Sequence, residues 1–387
     1  MDTDLLLLPL VAAEATLGVR VMARFIHGRS GVTLDARRMP TTTERIGVIL
    51  PTLNEARRVG PCLDGLLTQG PEVAEILVVD TGSTDGTQAL VAGYAERDTR
   101  VRLVDASPIP AGWNGKAWGL ERGLRQLSDA CHWALTIDAD TRPAPGLARA
   151  LLAHAEQSSE AAFSVATRQE LGGAGEGLLH PALLTTLVYR FGPPGHASAR
   201  VSQTQANGQC CLFRRDTLEA VGGFAAVRES ICEDVTIARL LVSKGARVGF
   251  YEAGDLISVR MYEGWREMWR NWTRSLPMRD RFFGVAGALG LLEVTCAQAL
   301  APLTLLALLA TWRPLEPLRA ALLAVTLTLT ALRVGTLFGV ARAYTRRPWT
   351  FWLSPLCDLP VALQLWRSAL RRRHIWRGRV LLRGVVS

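Results

Sequence analysis

Along the first 275 residues, short apolar runs alternate with polar turns and longer amphipathic stretches. The runs at 45–50, 75–80, 101–105, 133–138 and 161–167 have the length of strands, and helical stretches lie between them. Parallel strands need a helix-length crossover, so this alternation predicts an α/β fold with a mainly parallel sheet. Such sheets bind ligands beyond the carboxyl ends of their strands. After residue 170 the Gly-rich segment Gly172 to Gly177 breaks the alternation. The apolar stretch Leu178 to Tyr189 then predicts a helix, lying either on a membrane or in an ordinary core.

Beyond residue 282 the apolar runs lengthen. Phe282 to Thr311 and Leu318 to Ala341 each exceed the roughly 20 residues needed to cross about 30 Å of hydrocarbon, so both read as spanning helices. Arg279 and Arg281 precede the first, and Arg342, Arg346 and Arg347 follow the second. By the positive-inside rule, the outer ends of this hairpin and the preceding domain belong in the cytoplasm, giving a multi-pass inner-membrane protein. Trp349 to Trp366 contains Pro355, Asp358 and Pro360 between two Arg-rich flanks, which predicts a re-entrant or interfacial segment. Leu5 to Val21 reads either as an uncleaved anchor or as a buried or interfacial amphipathic helix, and Gly28 to Glu44 as a linker. The expected units are thus an N-terminal membrane-associated helix (1–27), an α/β domain (44–275) and a membrane region (282–387). Glu293 and Arg333 fall inside spanning segments, where an ion is costly unless paired or facing a cavity. They are expected to pair with each other or to line an acceptor groove, unless they snorkel or lie beyond the true ends of the spans.

Charge sharpens this division. Thirteen of the 44 Lys and Arg residues, but only Glu293, Glu316 and Asp358 among the 35 acids, lie beyond residue 282, so the tail carries +10 and the remainder −1. A cationic apolar tail suits an anionic membrane surface, whereas nucleic-acid binding would want the positive face on the folded domain. The seven cysteines show neither C-x-x-C spacing nor a disulfide framework, and no histidine clusters with them, so a zinc site is not indicated.

Three strand ends carry the candidate chemistry: Pro51-Thr52-Leu53-Asn54-Glu55, Asp80-Thr81-Gly82-Ser83-Thr84-Asp85-Gly86-Thr87, and Asp138-Ala139-Asp140. Acid-x-acid pairs are common in surface turns, but three acidic strand ends on one edge outline a nucleotide site with a divalent cation. Lys116 follows Trp113-Asn114-Gly115 and opens a helix, where it could meet phosphate or remain an exposed surface lysine. Ile231-Cys232-Glu233-Asp234 leads into another helix, whose dipole alone would favour acids there.

These motifs, in this order over about residues 44–275, resemble the family 2 glycosyltransferases of GT-A (Rossmann-like) fold. The resemblance implies that Pro51, Glu55 and Asp80 form the nucleoside pocket; Asp80 could instead cap a helix in its tight turn, but Ser83 and Asp85 are better placed for capping, which leaves Asp80 free. Asp138 and Asp140 match the family's D-x-D element, Asp140 reaching Mn²⁺ or Mg²⁺ and Asp138 lying near the ribose and sugar. Lys116 joins the nucleotide-sugar site, and Asp234 is the general base, assisted by Glu233. Asn207-Gly208-Gln209 resembles an element lining donor sugar and acceptor, which nominates Gln209; Gly222-Gly223-Phe224 resembles another, or is simply a glycine turn. Arg270 and Trp272 imperfectly match a diphosphate and acceptor element, and the alternative there is an amphipathic helix with interfacial tryptophans. The implied reaction is inverting, metal-dependent transfer of a hexose, glucose by expectation, from a UDP-type sugar to a lipid hydroxyl. The run from Trp113 through Gln209, with Trp376-Arg377-Gly378-Arg379, resembles bacterial enzymes acting on carotenoid or hopanoid-type lipids. Ceramide, diacylglycerol or polyprenyl phosphate acceptors, and a non-catalytic nucleotide-sugar sensor, are the alternatives.

Overall fold

The computed structural model describes residues 7–28, 31–35, 37–276, 282–311, 314, 316–371, 373–376 and 379–382. Arg279, Arg281, Arg372 and part of Trp376-Arg377-Gly378-Arg379 therefore lie outside the described residues. An N-terminal helix α1 (Leu8–His27) precedes an eight-stranded sheet. Its strands are β1 (Arg45–Thr52), β2 (Val73–Asp80), β3 (Val101–Asp105), β4 (Cys131–Ile137), β6 (Ala162–Ala166), β8 (His196–Ser198), β9 (Cys210–Arg214) and β10 (Val248–Glu252), with β5 (Thr141–Pro143) and β7 (Arg168–Glu170) in a second sheet. Their spatial order is β3-β2-β1-β4-β9-β6-β10-β8. The β3-β2-β1-β4 half is parallel, β9 runs antiparallel to both β4 and β6, and β8 is antiparallel to β10. The five expected strands are all present, and the sheet is mainly parallel.

Side-chain alternation along these strands builds two cores. Ile46, Val48, Leu50, Ile76 and Val78 face one layer of helices, while Ile49, Leu77 and Val79 face the other. A strand buried on both faces reads as a continuous apolar run because both helix layers must be satisfied. Each fully buried Val, Ile or Leu contributes about 1.5–3 kcal/mol. The helices α2 (Val59–Leu67), α3 (Thr87–Ala95), α4 (Gly115–Leu124), α5 (Leu147–Ala155), α7 (Arg215–Ala220) and α8 (Glu233–Ser243) cover or flank the sheet, whereas α6 (Ala174–Phe191) packs on the helices that follow residue 282 and α9 (Trp265–Asn271) packs on α6. Gly123 lets α4 approach β1 closely, because a Cβ there would stand 2.3 Å from Ile49 Cγ2. That approach carries the first turn of α4 to the carboxyl ends of the strands.

The second sheet orders β12 (Tyr344–Arg346) beside β7, β11 (Ile257–Val259) and β5. It ties the segment after the apolar helices to the strand that directly follows Asp138-Ala139-Asp140. Those helices are α10 (Gly284–Glu293), continued by a π-helical turn (Val294–Leu300) and α11 (Ala301–Ala310), and α12 (Pro317–Val340). Gly284–Ala310 and Pro317–Ala343 are long and apolar enough to cross a membrane. Trp349–Cys357 is 3₁₀-helical and α13 (Asp358–Leu370) follows it, so the third apolar segment is not one long helix.

Two expectations are revised and a third is narrowed to one of its two readings. Gly28 to Glu44 is not a detached linker: Thr33 bridges to Glu252, Leu34 N donates to Glu252 O at 2.8 Å, and Leu34 is buried in the core. Glu293 and Arg333 do not pair with each other. Glu293 accepts from Arg20 at 2.6 Å and from Arg24 at 2.7 and 2.9 Å, which fastens α1 to α10. Arg333 forms a two-pronged contact with Asp358 at 2.7 and 2.9 Å, joining α12 to α13, and Gln298 donates to the same carboxylate at 2.8 Å. The helix expected at Leu178 to Tyr189 is α6, and Leu179, Ala182, Leu183 and Tyr189 are buried in it.

Candidate active site

The turn after β1 is knitted to the turn after β2. Ser83 Oγ accepts from Asn54 N at 2.8 Å, Asn54 Oδ1 accepts from Thr84 N at 2.8 Å, and Asp85 accepts from Ala56 N at 3.0 Å. Pro51 and Glu55 emerge from this pair of turns into a cavity of about 1290 Å³. Asp80 does not. It is fully buried and accepts from Gly82 N at 2.9 Å, Ser83 N at 2.8 Å, Gln88 Nε2 at 2.8 Å, Thr52 Oγ1 at 3.2 Å and the Ser83 hydroxyl. Burial would raise its carboxyl, but the hydrogen bonds from Gln88, Ser83 and Gly82 hold it below the ordinary value. Asp80, expected to stay free for a nucleoside, has its oxygens occupied here by its own turn together with Thr52 and Gln88.

On α4, the N-cap Asn114 accepts from Lys116 N at 3.1 Å and donates to Ser230 O at 3.0 Å, which fixes the helix start against the loop before α8. Lys116 Nζ then lies 2.7 Å from Asp138 Oδ1 and 2.9 Å from Glu233 Oε1. Burial works against this charge, yet Asp138, Glu233 and Asp234 together hold the lysine well above its ordinary value. Lys116 is a partly buried bridge between two acidic elements and not a free surface lysine.

Glu233 and Asp234 occupy the first turn of α8, where the dipole favours acids. Asp234 Oδ2 accepts from Gly208 N at 2.6 Å. A Cβ at Gly208 would stand 2.9 Å from that oxygen and 3.0 Å from Lys116 Nζ, so the approach requires glycine. Desolvation, reinforced by Glu233, pushes Asp234 up to about 7. Gln209 is buried beside it, its Oε1 accepting from Thr167 Oγ1 at 2.5 Å and Asn207 Nδ2 at 3.2 Å.

Asp140 is the acid left wanting. Its Oδ1 is buried with no hydrogen-bond partner among the described residues. Burial, then Asp138 and Glu55, push its carboxyl up to about 7. An orphaned, charge-crowded carboxylate is the environment a cation relieves. Among the described residues no three His, Cys, Asp or Glu side chains form a ready-made metal cage. That agrees with a cation held by one or two carboxylates plus substrate phosphates, the usual Mg²⁺ arrangement. Asp140, with Asp138 beside it, fits that demand.

The cavity thus gathers Pro51, Glu55, Lys116, Asp138, Asp140, Gln209, Glu233, Asp234 and Trp272. Arg270 is not among its lining; it is exposed on the outer side of α9, beside Trp265 and Arg266. Helical phase explains the divergence, since residues two apart on a helix face different directions. Asn271, one position on, lines the cavity in its place. Asn114 and Thr167, which hold Lys116 and Gln209, carried no distinguishing signal beyond a possible helix cap. The far half of the cavity is apolar, enclosed by α6 through Leu183, Leu184, Leu187 and Phe191 and by α12 through Leu332 and Val340.

Residues 47–222 match the family described as Glycosyl transferase family 2. A 4,4'-diaponeurosporenoate glycosyltransferase of Staphylococcus aureus (strain MRSA252) is 26% identical over 247 residues, 63% of this chain and 64% of that protein. A lipopolysaccharide core biosynthesis glycosyltransferase of Rhizobium meliloti (strain 1021) is 38% identical over 90 residues, 23% of this chain and 29% of that protein. The matches span less than two thirds of these relatives' lengths. Among solved structures, a mannosyltransferase from Pyrobaculum calidifontis, in complex with GDP-Man and Mn²⁺, superposes with a TM-score of 0.53 at 22% identity, covering 90% of this chain and 99% of that one. The parallel strand ends, with Pro51, Glu55, Lys116, Asp138, Asp140 and Gln209 of the cavity, lie within the segment that matches Glycosyl transferase family 2.

Proposed function

We propose that the protein transfers a hexose from a nucleotide diphosphosugar to a hydroxyl of a membrane lipid, with inversion at the anomeric carbon. One observation carries the reading: a single cavity runs from the acids at the strand ends to an apolar arm between α6 and the membrane-length helix α12. A water-soluble acceptor would gain nothing from that arm. A lipid would bury its chain there at about 25 cal/mol per Å² of apolar surface.

In this reading Pro51 and Glu55 border the nucleoside, and Lys116 faces the diphosphate as a point charge. Asp80 supports the pocket indirectly by shaping the turn. Asp140 and Asp138 would hold Mn²⁺ or Mg²⁺, which supplies Lewis-acid stabilisation of the departing diphosphate, on the order of several kcal/mol. Asp234 takes the proton from the acceptor hydroxyl as its oxygen bonds to the anomeric carbon and the bond from that carbon to the diphosphate breaks. An acid titrating at about 7 suits a general base at neutral pH. Glu233 and Lys116 position it, and no second carboxylate is needed on the opposite face for single displacement. Trp272 and Gln209 border the acceptor side. Kinship with the diaponeurosporenoate enzyme supports an extended apolar acceptor of carotenoid or hopanoid type, and glucose from UDP is the expected donor pair. The apolar helices and the basic tail support membrane association with the α/β domain in the cytoplasm.

Purified protein in detergent should release nucleoside diphosphate from one donor of a UDP- and GDP-sugar panel only with Mn²⁺ or Mg²⁺, and faster with added lipid extract. Release independent of metal and lipid would overturn the proposal. Donor binding without any release would favour a sensor.

A further inference from the structure

The apolar arm contains two glycines whose presence packing does not explain. Gly335 and Gly339 lie one turn apart on α12, both line the cavity and both are exposed. A Cβ built at either position meets no heavy atom within 4 Å. Elsewhere in this region glycine permits close approach: a Cβ at Gly18 would stand 2.7 Å from Leu329, and one at Gly177 would stand 2.7 Å from Thr350 Oγ1. Glycine inside a helix weakens it relative to alanine, so an unpacked pair runs against the helix's own preference. What the pair does create is width.

The width lies opposite an apolar wall. Between His180 and Phe191, α6 turns His180, Leu183, Leu184, Leu187, Val188 and Phe191 toward the same cavity, a helical face ~16 Å long. One end of this wall bears His180, nine-tenths buried, with Nδ1 bound to the Tyr344 hydroxyl at 2.8 Å. The arm continues without a break to Lys116, Glu233 and Asp234. From this we infer that Gly335 and Gly339 form a lateral gate in α12 for one extended apolar chain, and that the absence of side chains there sets how bulky an acceptor reaches Asp234. The inference rests on the proposed lipid acceptor. The spacing G-x-x-x-G also suits packing of a helix from a second copy, but both glycines line the same cavity as the apolar residues of α6, which favours a lipid chain.

The test uses full-length protein in phosphatidylcholine vesicles, as wild type, Gly335→Leu, Gly339→Leu and the corresponding alanine variants. A long-chain alcohol bearing a terminal diazirine is photoactivated in the absence of donor, and labelled peptides are mapped. Transfer is then compared between a bulky polyisoprenoid alcohol and octanol. The expected result is wild-type labelling on 183–191 and 332–340. Leucine should reduce that labelling at least fivefold and the polyisoprenoid-to-octanol transfer ratio at least tenfold, with nucleotide-sugar affinity unchanged and alanine near wild type. Wild-type labelling elsewhere, or labelling and ratio indifferent to leucine in protein that still binds donor, overturns the gate. So does a wild-type dimer that leucine converts to monomer with labelling unaltered, because the glycines would then serve an interface. Labelling at the expected positions with no transfer to any lipid would leave the gate standing and remove the enzymatic reading instead.

Discussion

The turns after β2 and β4 start from the same plan and end as opposites. Each follows a buried apolar strand of the parallel half of the sheet, and each presents an acid at the carboxyl edge. Asp80 closes on itself, with two backbone amides, two hydroxyls and an amide side chain filling its oxygens. Asp140 keeps a buried oxygen with no partner among the described residues, and Asp138 reaches across to Lys116. A strand end nominates an acid; the hydrogen bonds it receives, from its own turn and from neighbouring elements, decide whether it remains available to a ligand. If that is the rule here, the open acids carry chemistry and the closed one carries architecture.

Asp234 should show the largest effect. Asp234→Asn keeps the shape and the hydrogen bond from Gly208 but cannot take a proton, so transfer should fall about 10²- to 10⁴-fold. Donor affinity, measured by calorimetry with metal present, should stay within about twofold. Equal losses in both would make Asp234 a binding residue and break the division. Asp140→Asn comes next, at on the order of 10²- to 10³-fold in transfer, a few kcal/mol of lost transition-state stabilisation. It should also abolish the rise in melting temperature that Mn²⁺ gives the wild type, since an amide is a poor ligand for a hard cation.

A third test uses pH. Desolvation and Glu233 push the Asp234 carboxyl up to about 7 in the folded protein from an ordinary value of 3.8, so its basic form accumulates as pH passes 7. Transfer should therefore climb roughly tenfold between pH 6 and pH 8 before levelling. Stability moves the other way. Between about pH 4 and 7 the folded state holds a proton that the unfolded chain has released, so this residue's contribution to stability declines as pH rises through that window. Asp234→Asn should flatten both slopes. A transfer profile that is already level at pH 6 in the wild type would remove the raised carboxyl from the mechanism.

In the parallel half of the sheet β1, β2 and β4 were plain in the chain because they are largely buried on both faces and read as nearly unbroken apolar runs. Short strands such as β8 and β11 were not, since three residues carry no period, and pairing to distant partners defines them. Asp138, Asp140, Glu233 and Asp234 could be nominated from position together with the family resemblance, and they do share one cavity. The state of each could not. Whether Asp80 was free depended on Gln88 and Thr52 arriving from outside its turn. The bridge made by Lys116 needed two elements far apart in sequence. The ion pairs of Glu293 and Arg333 were invisible for the same reason: a charge in an apolar run announces that a partner exists without saying which.

Asp80→Asn should have the smallest effect on chemistry, and it is the sharper test of the contrast because it changes the same atoms as Asp140→Asn. An asparagine still offers one oxygen to Gly82 N and Ser83 N, but its amide cannot accept from the Ser83 and Thr52 hydroxyls. The loss falls on folding, at about 1–3 kcal/mol for charged hydrogen bonds weakened in a buried turn. Transfer at saturating donor should remain within about threefold of wild type, with KM for donor rising less than tenfold as the turn beside Pro51 and Glu55 loosens. The metal-dependent rise in melting temperature should survive, offset to a lower baseline. A loss of transfer rivalling that of Asp140→Asn in protein that remains folded would mean that Asp80 exchanges its turn partners for the nucleoside on binding. Hydrogen bonding in the unliganded turn would then be no guide to which strand-end acids meet a ligand.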